Sequence, residues 1–95
     1  MALYIYSVLA NTPPIQEIIQ ASITGTVSDT LEFTSQMTRL VVKNTGADPL
    51  TFEVNGNANL SCTLAVGEVF SDSFLEFTSV AMSGTTGQSY RVMVG

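Results

Sequence analysis

No histidine occurs anywhere in these 95 residues. Its absence removes Ser-His-Asp and Cys-His catalysis and the common zinc ligand sets. A single cysteine, Cys62, rules out a disulfide within the chain. Positive charge is scarce: Arg39, Lys43 and Arg91 stand against eight Asp and Glu, for a formal net charge of −5. Nucleic acid is a poor match, because phosphate binding needs clustered Lys and Arg, and so is an anionic membrane surface. No stretch approaches the roughly 18 apolar residues of a membrane span. Tryptophan is also missing, which weakens the case for a sugar-stacking platform. Charged residues of both signs make up 12% of the chain, about half the roughly 25% usual for soluble proteins. Ser, Thr, Asn and Gly must cover most of the exterior, which suits a protein partly covered by neighbours.

What is present is a hydrophobic fraction of 45%, enough for one domain to bury a core without disulfide or metal. The apolar residues alternate. Leu50, Phe52 and Val54 are separated by Thr51 and Glu53; Leu60, Cys62, Leu64 and Val66 by Ser61, Thr63 and Ala65; Tyr90, Val92 and Val94 by Arg91 and Met93. This is the period of half-buried strands. Turn signals divide them: Asn44–Pro49, Asn55–Asn59, Gly67 and Ser83–Gln88. Short strands at this spacing predict a single all-β domain over 1–95, an antiparallel β-sandwich of immunoglobulin-like or jelly-roll-like type. Residues 13–24 are ambiguous, since Ile15, Ile18 and Ile19 have helical spacing; the β-branched content and the near-alternation of Glu17, Ile19, Ala21 and Ile23 favour an extended segment.

The N-terminus carries no basic n-region and reads as mature structure rather than a signal peptide, with synthesis expected in a cytoplasm. Leu3, Ile5 and Leu9 form one face of a predicted strand; Tyr4, Tyr6 and Val8 form the other. A strand apolar on both faces is normally covered on both, so a subunit or another protein is expected against it. The alternative is that the Tyr hydroxyls simply face water.

The pentapeptide Leu-Glu-Phe-Thr-Ser occurs at Leu31–Ser35 and again at Leu75–Ser79. A catalytic signature, a structural repeat and coincidence all have to be weighed. Each copy is expected just before a strand, with Leu31 and Phe33, and Leu75 and Phe77, pointing inward. Asp29 with Glu32, and Asp72 with Glu76, are the candidate paired carboxylates, more simply read as turn and solvated strand residues. Calcium ligands could be drawn from Asp48, Asn55, Asn57 or Asp72, but no D-x-D-x-D-G loop is present. Cys62 is expected inward between Leu60 and Leu64, as a buried, inert thiol. Asn59-Leu60-Ser61 fits the glycosylation pattern by chance, and Met1, Met37, Met82 and Met93 read as core or interface filler. No catalytic, cofactor or metal residue is assigned.

From Phe33 onward, "FTSQMTRLVVKNTGADPLTFEVNG", "LAVGEVFSDSF", "FTSVAMSG" and "YRVMVG" follow one another. This order resembles small β-sandwich proteins of tailed-phage virions, of the capsid decoration and head-fibre kind, over about two-thirds of the chain. The resemblance implies a non-enzymatic role on the capsid exterior, often as a trimer, with a major capsid protein or other virion protein as partner and no cofactor, nucleic acid or membrane. By analogy, residues 1–15 would be an N-terminal docking arm, with Leu3, Tyr4, Ile5, Tyr6 and Val8 at the interface. The rival from another class is a host-surface or glycan-binding module on a tail or fibre.

Overall fold

The alternation read from the sequence becomes alternating burial. Over β3 (Leu50–Val54), Leu50, Phe52 and Val54 are buried while Thr51 and Glu53 are half-exposed. Over β6 (Ser89–Val94), Tyr90, Val92 and Val94 are buried and Arg91 and Met93 half-exposed. The remaining strands are β1 (Glu17–Ser22), β2 (Ser28–Asn44), β4 (Ser61–Leu64) and β5 (Val69–Ser83), with one 3-10 turn at Ala58–Leu60 before β4. The structure is a computed structural model; it describes residues 14–24 and 28–95, apart from the side chains of Ser28, Phe74 and Leu75. The proposed N-terminal interface residues Leu3, Tyr4, Ile5, Tyr6 and Val8 lie outside the described residues. Residues 17–22 are a strand, as their β-branched content favoured.

All strand pairs are antiparallel, in the order β1-β6-β2-β5-β3-β4. The ladder is open, with β1 and β4 at its edges, and folds over into two layers because β2 and β5, 17 and 15 residues long, serve both. Leu40–Asn44 of β2 pairs with β6, which pairs with β1. Val80–Ser83 of β5 pairs with β3, which pairs with β4. One layer is therefore β1, β6, the second half of β2 and the first half of β5. The other is the first half of β2, the second half of β5, β3 and β4. These are the layer orders of a jelly roll, which decides between the two sandwich types expected. Between the layers lies one core that includes Leu40, Val42, Leu50, Phe52, Leu64, Val80, Met82, Tyr90 and Val92. The rings of Phe52 and Phe70 meet across it with centroids 5.0 Å apart.

The repeated pentapeptide makes the corners, and its expected place is corrected here. Both copies lie inside long strands, not before them. Glu32 of the first copy pairs with Ser79 of the second. From Glu32 to Met37, β2 advances five positions while β5 moves two, from Ser79 to Phe77; from Met37 to Arg39, β5 moves four positions against two. Surplus residues on first one strand and then the other are bulges, which bend a strand and raise its twist. Each strand changes layer at its own copy of Leu-Glu-Phe-Thr-Ser. Antiparallel neighbours are related by a local two-fold, so the equivalent residues Phe33 and Phe77 meet, edge to face at 6.1 Å. Asn55, at φ +55°, locks this corner: its Oδ1 accepts from Thr78 N at 2.9 Å, and its backbone amide donates to Ser79 O.

At one end, a buried amide pair holds three loops. Asn44 Nδ2 donates to Asp48 O and Leu64 O, at 2.8 and 3.1 Å, and its Oδ1 accepts from Gly46 N and Gln88 Nε2. Gln88 Oε1 accepts from Asp48 N at 3.0 Å. Tyr90 is buried beneath this end, and its phenol is pushed above the ordinary value of 10, first by burial and then by the nearby Asp29 carboxylate. The unfolded chain therefore loses this proton at lower pH than the folded one. Stability from this group is complete below pH 10 and is expected to fall as pH rises through the raised value. Urea titrations between pH 8 and about 11 should show that fall, and Tyr90→Phe should lessen it; an equally steep loss in Tyr90→Phe would overturn the assignment.

Candidate assembly surfaces

Strand register decides which side chains share a face. On the outside of the first layer, Ile18 pairs with Met93, and Met93 with Val41, which pairs with Ser71. The next row runs Gln20, Arg91, Lys43, Val69. Arg39 lies two alternations along β2 from Lys43, on the same side. All three cations of the chain thus occupy one face, and no carboxylate stands among its strand positions. Ile18 and Val69 are 58% and 52% exposed there. Val41 faces outward too, yet is only 7% exposed, sunk between its neighbours. Lys43 and Arg91 are directly opposite, a like-charge pairing that is unfavourable within a sheet. The Arg91 Nε is buried and makes no hydrogen bond among the described residues.

The outside of the second layer differs in every respect. Its described side chains run in rows Ser83, Thr51, Thr63 and Thr30, Ala81, Glu53, Ser61, with Glu32 and Ser79 following. Among the described residues of these rows Glu32 and Glu53 are the only charges, and no other is larger than Thr. Thr51 and Thr63 share a hydroxyl–hydroxyl bond of 2.8 Å.

Four of the other sequence candidates, Asp29, Asp72, Asn55 and Asn57, have structural employment. Asp29 and Glu32 fall on opposite faces of β2, since they are three residues apart in a strand; Asp29 Oδ2 accepts from Thr24 N at 2.9 Å. Asp72 Oδ1 accepts from Ser73 N. Of the calcium candidates, Asn55 is spent on the corner and Asn57 Oδ1 accepts from Asn59 N. No group of three or more metal-ligating side chains stands among the described residues. Cys62 is half-buried rather than buried, because Leu60 belongs to the 3-10 turn and is 37% exposed. The thiol lines a groove of about 180 Å³ with Phe52, Leu60, Phe70 and Asp72, below the roughly 300 Å³ of ordinary ligand pockets. The two charged faces were not recognised from the sequence. Alternation alone places Arg39 and Lys43 together; only the register between β2 and β6 adds Arg91.

No protein-family model matches the chain, and no curated protein matches it. Solved structures similar to it include two with a TM-score above 0.5. One comes from Bacillus endospore appendages, which form a family of disulfide-linked pili: TM-score 0.62 at 17% identity, covering 82% of this chain and 78% of that one. The other is PirA, with TM-score 0.52 at 10% identity, covering 87% of this chain and 96% of that one. At such identities the likeness is one of fold.

Proposed function

We propose that this chain is a non-enzymatic structural protein that associates with other protein surfaces and with itself. In its finer form the reading is a tailed-phage virion component, a capsid decoration or head-fibre protein on the capsid exterior, with residues 1–15 as its docking arm. The finer form draws on the sequence resemblance. The observation that carries the general reading is the outer face of the first layer, where Arg39, Lys43 and Arg91 stand beside exposed Ile18 and Val69. Opposed cations and uncovered aliphatic side chains are poor solvent surface and good binding surface. The fold likeness to a pilus-forming protein supports self-association as well.

The test mixes the purified full-length chain with undecorated capsids, with host cells and polysaccharide as controls. Co-sedimentation with capsids is expected, as is its loss on deleting residues 1–10 while the β-rich circular dichroism remains. Undiminished occupancy after that deletion would overturn the docking arm. Retention by cells or polysaccharide, with none by capsids, would overturn the virion reading in favour of a glycan- or receptor-binding module.

A further inference from the structure

We propose that the two outer faces of the sandwich bind each other, so that copies of this chain stack face to face in an open series. The inference rests on the reading of the chain as an assembly protein and goes beyond it by naming the occupant of the cationic face: the acidic face of a second copy.

The charges match in sign and in spacing. On the cationic face, Arg39 and Lys43 are four positions apart along β2, with Arg91 beside Lys43. At about 3.3 Å per residue the two positive centres are about 13 Å apart. On the acidic face, Glu53 lies on β3, two strands across from β2, and Glu32 lies two residues beyond Thr30, in Glu53's row. Strand spacing of about 4.8 Å and the same rise put the two carboxylates about 12 Å apart. A single superposition therefore sets one carboxylate against the Lys43–Arg91 pair and the other against Arg39. The repulsion between the directly opposed Lys43 and Arg91 gives the pair a reason to take an anion.

Shape agrees. Among its described side chains the acidic face carries only Ser, Thr and Ala besides its two Glu, which allows close approach of a second sheet. Ile18, Met93 and Val69 on the other face then have Ala81 and the Thr methyl groups to rest on. Because each face is complementary to the other and not to itself, the contact is heterologous, and repeated it makes a series rather than a two-fold dimer. The link must be non-covalent, since a chain of disulfides needs two cysteines per copy and these residues hold one. Four strands by about 20 Å amount to about 400 Å² per face, or about 800 Å² in all. That is the weak end of specific interfaces, so association should depend steeply on concentration and salt.

Sedimentation velocity on the full chain tests this. At about 20 mM salt a ladder of species growing with concentration is expected, collapsing to one copy at about 500 mM. The triple variant Arg39→Glu/Lys43→Glu/Arg91→Glu and the double variant Glu32→Lys/Glu53→Lys should each be single copies when alone. Mixed in equal amounts they should regain the ladder, because the reversed face of each meets a face of the other; the weight-average mass should rise at least about twofold. Misfolded variants could not restore one another in this way. A ladder that survives both reversals would overturn the stacking while leaving self-association in place. Reversed variants that stay apart on mixing, or a wild-type chain that is a single copy at low salt, would also overturn it. Capsid binding by that wild-type chain would leave the structural role standing.

Discussion

Phe77→Ala is expected to lower the unfolding free energy by about 3–5 kcal/mol, the usual range for an aromatic ring removed from a closed core. Phe77 is 1% exposed, is paired with Met37 at the corner, and is met edge to face by Phe33. The cavity would open where β2 and β5 change layers, and the bulged backbone has little regular pairing with which to collapse around it. Phe33, 8% exposed, should cost less when truncated. The double variant should fall short of additivity by about 0.5–1.5 kcal/mol, the part belonging to the ring pair itself. Against a total stability of about 5–15 kcal/mol, Phe77→Ala alone should shift the urea midpoint far down. A loss of under about 1 kcal/mol would show that the corner does not depend on the ring.

Asn44→Ala should be nearly as damaging, by a different route. The side chain is 1% exposed and bridges Asp48 O, Leu64 O, Gly46 N and Gln88 Nε2. Each buried partner left without a hydrogen bond costs about 1–3 kcal/mol, so a total of about 3 kcal/mol or more is expected in urea titration. Gln88 fills the space where a Cβ at Gly46 would stand, so the network is tightly packed as well as hydrogen-bonded. Asn44→Asp separates hydrogen bonding from volume. A buried carboxylate is held above its ordinary pKa, so that variant should be weakest at neutral pH and recover as acid protonates it. Equal stability of wild type and Asn44→Ala would mean that water replaces the network.

The recovery of the fold from the amino acids was uneven in a physically sensible way. β3 and β6 were legible because a half-buried strand imposes strict alternation, and both keep it without a break. The extended character of residues 17–22 was legible from β-branching despite helical spacing of Ile15, Ile18 and Ile19. The repeat was visible as a string but misplaced, because a bulge leaves no mark on composition. Leu-Glu-Phe-Thr-Ser has the same alternation in a straight strand as at a corner. Cys62 was expected to be sealed on both sides; Asn57 instead caps a 3-10 turn that takes Leu60 out of the strand.

Side-chain order along the chain was enough to settle an all-β sandwich with an acidic, histidine-free exterior, since alternation and composition are local properties and survive any arrangement of the strands. The meeting of Arg91 with Lys43, the gathering of every cation on one face, and the contact of the two repeat phenylalanines were not of that kind. Each depends on the register between strands distant in sequence, and register is chosen by the packing of the whole core: a slip of one residue would turn every side chain to the other face.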